Sequence, residues 1–471
     1  MPRNKGMNVI LLVSDTFRYD FLGCNGNAWI DTRDLDAFAR KCLVFDNCHT
    51  GSFPTIPQRT DMVTGRFIFP YAGWQPLQTD QTTVAQYLND AGYVTQLICD
   101  TPHLLGHGCN FFRGFDAYHW ERGQECDIPL TRMNTPIREA VPHAKTRCDY
   151  KLQPKPMTQP GVPFATTLVD RHRWVNDHWR YEEDRFMART ARTAIRWLEE
   201  NHKAERFFLW VDMFDAHEPW DPPEYVVRRY DPNYAGTPML HPNYGHASDY
   251  TAADLRNLRA HYAGEITLVS KWIGQILRKV EETGLAGNTA IIFTSDHGIY
   301  VGEHDRTGKS NISPGDDRVW PLYGEVTHVP LMICVPGIKP RRVGSIAQAV
   351  DVAPTILDLA GQPIPGGLDG RPLLHVLAGT AAPHTCAISG WAPIKRERVA
   401  TVHDGRHALV LAAEQSAELF DVHADPSQKR SILGKRPEVA RRLYRHLASF
   451  LNEKGIDASG LFGAAARKLK V

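Results

Sequence analysis

Apolar segments alternate with amphipathic helical segments along most of the chain, and this alternation constrains the fold most strongly. The segment "NVILLVS" precedes a helical pattern at "LDAFARKC", and the helical pattern "TTVAQYLNDAG" precedes "YVTQLIC". The later apolar runs "RFFLWVDMF" and "TAIIFTSD" each follow a longer helical pattern. Buried strands separated by amphipathic helices predict an α/β fold with a mainly parallel sheet that is covered on both faces.

Two regions depart from this alternation. Residues 121–180 are rich in Pro, Arg, His and Trp without clear periodicity, which predicts a long loop insertion that acts as a lid or substrate wall. From about residue 378, four short strand patterns and the hairpin signal Asp404-Gly405 precede the helical segment "RPEVARRLYRHLASFLNEKG". We therefore predict a catalytic α/β domain over 1–377, a smaller antiparallel α+β subdomain over 378–471, and a peripheral tail, "GLFGAAARKLKV".

Composition argues against several classes of protein. The 471 residues include 54 basic and 53 acidic side chains, and this balance predicts no binding to nucleic acid or to a membrane. No apolar run reaches the length of a membrane span, and the apolar stretch near the N-terminus is too short for a signal peptide. Nine cysteines without paired spacing favour reduced thiols and a cytoplasmic location. The sequence leaves the oligomeric state open.

Two strand ends carry candidate metal ligands. Active groups in sheets of this kind gather at the carboxyl ends of the strands, where Asp15, Asp215 and Asp296 are expected to lie. His297 follows Asp296 directly, and an adjacent carboxylate and imidazole suit a divalent cation. The alternative for each aspartate is a helix cap or a turn.

The stretch "SFPTIPQRTDMVTGR" predicts a short helix with a hydroxyl at its start. Pro57 is placed to begin the helix and Gly65 to end it, and Thr55 lies just before it. A hydroxyl at that position faces unpaired N–H groups and the positive end of the helix dipole, where a tetrahedral oxyanion can be held. Arg59, one turn inside, is placed to bond both the anion and the hydroxyl oxygen. The alternative is that Thr55 is only an N-cap.

Motifs along nearly the whole chain, roughly residues 8–452, resemble those of the sulfatase family in the family's order. With Thr55 in first position, "TIPQRTDMVTGR" resembles the signature C-x-P-S-R-x-x-x-x-T-G-R. The other segments that resemble the family are "NVILLVSDTFRYDFLGCNGN", "RFFLWVDMFDAHEPWDPP", "IIFTSDHGIYVGEH", "YGEVTHVPLMICVPG", "VDVAPTILDLAG" and "AELFDVHADPSQ". The resemblance implies the fold of the alkaline phosphatase and sulfatase superfamily, with a central mixed, mostly parallel sheet flanked by helices.

The resemblance also implies a metal site. Asp15, Asp296 and His297 correspond to the family's metal ligands, and Thr55 corresponds to the nucleophile, which also touches the metal. The implied cofactor is one divalent ion, either Mn, Zn, Mg or Ca, and a second metal stays open.

Two more residues correspond to catalytic positions of the family, and a third lies near one by a looser alignment. Arg59 corresponds to the arginine that orients the nucleophile, and His217 to the histidine that protonates the leaving oxygen. Lys309 lies near the family's second active-site lysine.

The sequence departs from the family pattern at three places. Sulfatases have a Cys or Ser at the position of Thr55 that is oxidised to formylglycine; Gln58 also replaces the serine of that maturation signature, so Thr55 is expected to act unmodified. Thr16 replaces a second aspartate, and the lower ligand charge should weaken calcium relative to Mn, Zn or Mg. The family's "GKWH" reads "CDTPH", so Asp100 replaces a sulfate-contacting lysine, for which His103 is the candidate substitute.

In having a threonine as the nucleophile on this fold, the chain resembles members of the superfamily that handle phosphoryl groups, namely nucleotide pyrophosphatases, lipoteichoic acid synthases and phosphoethanolamine transferases. A formylglycine hydrate can expel sulfate from its second hydroxyl, whereas phospho-threonine beside a metal can be hydrolysed by in-line attack of water. We therefore predict a metal-dependent hydrolase of small-molecule esters that favours phosphate monoesters or diesters and phosphonate esters. The alternatives are a sulfuric ester hydrolase that works without formylglycine, a phosphoryl transferase, and a catalytically silent binding protein.

Overall fold

The computed structural model describes residues 6–125, 127–129, 168–310, 318–391, 398–412 and 416–469. The strands in these ranges are β1 (Asn8–Ser14), β2 (Leu43–His49), β3 (Val94–Cys99), β4 (Ala117–Trp120), β5 (Phe207–Met213), β6 (Thr289–Ser295), β7 (Tyr300–Val301), β8 (Thr307–Gly308), β9 (Leu331–Cys334), β10 (Arg341–Gln348), β11 (Ala387–Trp391), β12 (Val399–His403), β13 (His407–Ala412) and β14 (Ser416–Asp421). The α-helices are α1 (Arg33–Ala39), α2 (Thr55–Thr64), α3 (Val84–Asp90), α4 (Pro102–Leu105), α5 (Leu168–Val175), α6 (Phe186–Glu200), α7 (Glu224–Val227), α8 (Ala252–Glu282), α9 (Gly324–Thr327), α10 (Val352–Leu359), α11 (Leu373–Leu377), α12 (Pro437–Glu453) and α13 (Ala458–Leu469).

The large sheet is mixed and mostly parallel, as the sequence predicts. Its eight strands lie in the order β10-β2-β9-β6-β1-β5-β3-β4. The central strand β1 pairs in parallel with β5 on one side and with β6 on the other. Strand β9 alone runs antiparallel to both of its neighbours, β2 and β6.

Helices cover both faces of this sheet because the side chains of β1 alternate between two apolar cores. Ile10 and Leu12 belong to the core that α1, α6 and α8 cover. Val9, Leu11 and Val13 belong to the opposite core, which α2, α3 and α10 cover. All seven residues of β1 are buried, as expected for a central parallel strand. The fold therefore fixes the end of β1 deep inside the molecule.

The C-terminal part contains the predicted antiparallel sheet, in the order β11-β12-β13-β14. Asp404 and Gly405 form the turn between β12 and β13, and Gly405 has a φ of +91°, which glycine adopts without strain. The prediction of a peripheral tail is wrong, because α13 packs on this unit. Phe462, Ala465 and Leu469 lie on one face of α13 and are buried in the same core as α12, so their helical spacing forms an apolar stripe.

Strand β11 is joined to the loop that precedes α2. The backbone N–H of Gly390 donates to the Gly51 carbonyl, and the N–H of Phe53 donates to the Gly390 carbonyl, each at 2.9 Å. Ser389 Oγ also donates to the Thr50 carbonyl at 2.6 Å. The small sheet thus holds the backbone just before α2, although a domain boundary at residue 377 stays a prediction.

The predicted insertion over 121–180 includes α5, whereas residues 126 and 130–167 lie outside the described residues. Its role as a lid or substrate wall stays a prediction. Among the helices that are described, none combines the length and apolarity needed to cross a bilayer. Seven of the nine cysteines fall within the described ranges, and those seven are free thiols.

Candidate active site and metal centre

Three adjacent strands each deliver a carboxylate to the same edge of the large sheet. Asp15 follows β1, Asp296 follows β6, and Asp212 is the penultimate residue of β5. These strands are parallel neighbours, so their carboxyl ends meet at one edge, and all three carboxylates are buried. Asp215 lies apart from them, since its carboxylate accepts hydrogen bonds from Gln124 and from the Met187 backbone.

Arg59 extends from α2 and donates hydrogen bonds to all three carboxylates. Its Nη1 donates to Asp15 Oδ2 at 3.0 Å and to Asp296 Oδ2 at 2.6 Å. Its Nε and Nη2 form a bidentate salt bridge with Asp212, with both hydrogen bonds at 2.9 Å. Nη1 also lies 3.4 Å from the Thr55 carbonyl. The expectation that Arg59 bonds the Thr55 hydroxyl is therefore wrong, because the planar guanidinium is directed at carboxylates.

Sequence reasoning missed Asp212. The only signal for it is a single carboxylate inside the otherwise apolar strand "FFLWVDM". A buried strand carries such a charge only when a partner is present, and here the partner is Arg59, 153 positions away in the sequence.

Asp15, Asp296 and His297 form a candidate metal site. One ligand atom from each lies within 4.8 Å of the others. His297 Nδ1 donates to the Gly298 carbonyl at 3.0 Å, so the lone pair of Nε2 faces the two carboxylates. Burial lowers the pKa of His297 to about 3, which keeps the imidazole neutral and able to bind a cation.

The charges of the site also fit a divalent cation. Burial and the neighbouring Asp15 charge raise the pKa of Asp296 to about 8. At Asp15, burial opposes ionisation, but Arg59 together with His217, His297 and Lys309 outweighs this effect and holds the pKa of that carboxyl well below its usual range. With Asp212, three buried carboxylates face one guanidinium, and a divalent ion would offset the remaining negative charge.

Thr16 orients the two carboxylate ligands as a hydrogen-bond donor. Its hydroxyl donates to Asp15 Oδ1 at 2.6 Å, and its backbone N–H donates to Asp296 Oδ1 at 2.9 Å. The backbone has a φ of +59°, a left-handed conformation that is rare for a β-branched residue. Such strain persists where surrounding contacts impose it, and here the contacts shape the candidate metal site.

Thr55 is the first residue of α2 and faces the same site. Its Oγ1 lies 3.3 Å from His297 Nε2, and the residue is buried. Pro54 occupies the N-cap position without a side-chain capping bond, so the helix begins two residues before the predicted start at Pro57. The interpretation of Thr55 as an N-cap is therefore wrong. Gly65 ends the helix with a φ of +69°, as predicted.

His217 and Lys309 lie on another side of the site. The His217 ring stacks on Phe214 with centroids 3.9 Å apart, and its Nδ1 donates to the Glu218 carbonyl at 2.6 Å. Lys309 Nζ donates to Thr16 Oγ1 at 3.4 Å and lies 3.7 Å from Glu218 Oε1. Lys309 is thus beside the candidate metal site. Glu218, which the sequence analysis did not single out, lies next to both His217 and Lys309.

Within the altered segment "CDTPH", the side chains of Asp100 and His103 have different surroundings. Asp100 accepts hydrogen bonds from the Phe214 backbone at 2.5 Å and from Thr190 at 2.8 Å, so its carboxyl group faces α6. Burial raises the pKa of Asp100 well above its usual range, which favours the neutral form. His103 pairs with Glu125 at 3.1 Å, and its ring centroid lies 5.6 Å from that of Phe214, on the side of His217.

Known proteins resemble this chain over most of its length. A family model described as Sulfatase matches residues 7–362, and one described as N-sulphoglucosamine sulphohydrolase, C-terminal, matches residues 316–454. Arylsulfatase K of Canis lupus familiaris is 25% identical, and the alignment covers 96% of this chain and 84% of that protein. An arylsulfatase of Clostridium perfringens is 24% identical, with 90% of each chain covered.

A solved structure has the same fold. The phosphonate monoester hydrolase of Agrobacterium radiobacter superposes with a TM-score of 0.71 at 23% identity. The superposition covers 95% of this chain and 96% of that one.

We expect Asp15→Ala and Asp296→Ala each to lower bound divalent metal by at least about tenfold while leaving a folded protein, because each removes one of the candidate ligands. Elemental analysis after gel filtration, with circular dichroism, measures both outcomes. Glu265→Gln is the matched control, since burial raises the pKa of this α8 carboxyl well above its usual range and the neutral amide is a close substitute. If either alanine variant retains its metal in full, the substituted aspartate is not a metal ligand.

Proposed function

The chain belongs to the sulfatase family and is an ester hydrolase, and we propose that it uses unmodified Thr55 as its nucleophile on phosphate or phosphonate esters. The observation that carries the proposal is the position of the Thr55 hydroxyl. It lies at the start of α2 and 3.3 Å from His297 Nε2, the ring nitrogen that faces the candidate metal site. A nucleophile there lies at the first turn of a helix and would be next to a cation held by Asp15, Asp296 and His297.

Charge stabilisation at this position comes from two sources. The N–H groups in the first turn of α2 and its dipole favour the negative charge that develops on the non-bridging oxygens. A divalent ion held by Asp15, Asp296 and His297 would act as a Lewis acid and favour the ionised form of the attacking hydroxyl. Arg59 supports both by fixing the ligands, since its donors are engaged by carboxylates.

The reaction has two displacement steps. Thr55 Oγ1 bonds to phosphorus and loses its proton to solvent, while the bond to the leaving oxygen breaks and His217 Nε2 protonates that oxygen. Water then attacks phosphorus in line, one of its protons restores the His217 imidazolium, and the other returns to Thr55 Oγ1 as that oxygen leaves. Lys309, held near Thr16, lies where it can neutralise a non-bridging oxygen.

Two arguments bear on the choice between phosphoryl and sulfuryl esters. Threonine has a single hydroxyl, so a sulfated intermediate lacks the elimination route that formylglycine provides, whereas a phosphorylated one is open to water. The similarity to arylsulfatases supports the alternative of a sulfuric ester hydrolase that works without formylglycine. We favour the phosphoryl substrate, and a cytoplasmic location remains part of the proposal.

The role of Thr55 predicts a specific pattern of variants. The intact mass should match the encoded sequence at this residue. Thr55→Ala should lose at least about 1,000-fold in kcat with metal still bound, because the nucleophile alone is removed. Thr55→Ser should stay within about tenfold of the wild type, because the hydroxyl survives. Mass spectrometry, metal analysis and steady-state kinetics check these outcomes, and an alanine variant with full turnover would exclude Thr55.

Substrate class is tested with one leaving group throughout. We expect kcat/KM for para-nitrophenyl phosphate, bis-para-nitrophenyl phosphate or para-nitrophenyl phenylphosphonate to exceed that for para-nitrophenyl sulfate by at least about tenfold, since only the phosphoryl intermediate is readily hydrolysed. A wide preference for the sulfate would replace the phosphoryl proposal with a sulfatase that acts without formylglycine.

The acid role of His217 predicts a dependence on the leaving group. His217→Ala should reduce hydrolysis of an alkyl ester by about 100-fold or more, because an alkoxide needs protonation as it departs. The loss for a para-nitrophenyl ester should stay below about tenfold, because nitrophenolate is a stable leaving group. Kinetics on the matched pair of esters measures the difference, and equal losses would show that His217 is not the acid.

A further inference from the structure

Glu218 has a buried carboxylate that plays no part in the two displacement steps. The residue is 1% exposed, and its Oε1 accepts a hydrogen bond from the Tyr244 hydroxyl. Its Oε2 receives no hydrogen bond from any residue that the structure describes. An ionised, buried oxygen without a hydrogen-bond donor is destabilising, so its position needs a physical reason.

The geometry places this carboxylate between the His217 imidazole and the Lys309 ammonium. Its Oε2 is 3.5 Å from His217 Nδ1, and its Oε1 is 3.7 Å from Lys309 Nζ. His217 Nδ1 already donates to the Glu218 backbone carbonyl, so the opposite ring nitrogen, Nε2, is the one that can donate to a leaving oxygen. The carboxylate therefore lies behind the imidazole, away from the reacting atoms.

Charges around His217 act in both directions. Burial has the largest effect and lowers the pKa of His217, the Lys309 ammonium lowers it further, and the pKa lies below its usual value even with the Glu218 carboxylate in place. The groups that raise it are Glu218, whose effect is the largest of the three, and the more distant Asp15 and Glu125. Phe214, which stacks on the ring, carries no charge. Without Glu218, two adjacent cations would face each other in a buried site.

The Glu218 carboxylate itself is ionised across the working pH range. Burial opposes its ionisation, but His217 and Lys309, together with His241 and the Tyr244 hydrogen bond, outweigh this effect and hold the pKa of Glu218 at about 2. Its charge is thus present whenever His217 titrates.

We propose that Glu218 is a positioning residue that favours the imidazolium form of His217 beside Lys309, and so increases the share of the enzyme in which His217 holds a proton for the leaving oxygen. The inference rests on the acid role of His217 proposed above. Glu218 acts through that imidazole and touches neither the substrate nor the reacting atoms. The Tyr244 hydrogen bond fixes the carboxylate, and its Oε2, which accepts no hydrogen bond from the described residues, is the oxygen that lies 3.5 Å from Nδ1.

The test is the pH profile of kcat/KM for Glu218→Gln, measured with an alkyl ester and a para-nitrophenyl ester of whichever acid the wild type hydrolyses. The alkaline limb for the alkyl ester reports loss of the His217 proton as pH rises. Removing a negative charge at this distance should lower the pKa of His217 and move the limb down by about one to three pH units. The nitrophenyl ester, which needs little protonation, should keep most of its rate.

Two controls separate charge from packing. Tyr244→Phe removes a hydrogen bond to the same carboxylate but keeps its charge, so the limb should stay within about 0.2 pH units of the wild type, a smaller change than any expected for the Glu218 variants. Glu265→Gln makes the same substitution at a buried site outside the active centre, and its limb should not move. Glu218→Asp retracts the charge by one methylene, so its limb should move by about half a unit, and this variant decides if the glutamine variant fails to fold.

An unmoved limb in Glu218→Gln, or in Glu218→Asp where the former does not fold, would overturn the proposal and leave Glu218 a structural residue. A change in KM alone would have the same effect, since it would indicate substrate contact. His217→Ala distinguishes the two levels of failure. If it lowers alkyl and nitrophenyl turnover equally, the acid assignment fails; if it is selective and the limb stays unmoved, only the role of Glu218 fails.

Discussion

The active site depends on one buried guanidinium that holds three carboxylates. Arg59 is fully buried, and its partners Asp15, Asp212 and Asp296 come from three neighbouring strands at the centre of the sheet. Removing one partner of a buried ion pair of this kind destabilises a protein by about 3–5 kcal/mol, because the remaining charge loses its compensation. Arg59 therefore fixes α2, and with it Thr55, against the strand ends.

Local patterns predicted the elements of the fold well, and non-local contacts account for what they missed. β1 and β6 occupy the predicted segments because a fully buried strand must be apolar throughout. The start of α2 was misplaced because Pro57 is a good helix starter, yet the Gln58 backbone N–H donates to the Pro54 carbonyl at 2.9 Å, which places Thr55 within the helix. The tail was misplaced because its apolar stripe is short and is recognised only against α12.

In the candidate site, too, local patterns predicted some residues, and non-local contacts explain the ones that were missed. Asp15 and Asp296 are visible in the sequence because each follows an apolar strand, whereas Asp212 lies within one and is explained only by its pairing with Arg59. Glu218 was overlooked because nothing local distinguishes it from a surface glutamate, although it is buried against Lys309. Charge pairing across distant segments is the property that periodicity and motif spacing do not encode.

The hydrogen bonds between β11 and the loop before α2 have a consequence for synthesis of the protein. Thr50, Gly51 and Phe53 are bonded to Ser389 and Gly390, which follow more than 330 residues later in the chain. Chains emerge N-terminus first, and early segments collapse before later ones exist. The loop that precedes Thr55 consequently stays incomplete until residues 389 and 390 have left the ribosome. A chain truncated before them would hold the ligands of the site without the backbone contacts that position its hydroxyl.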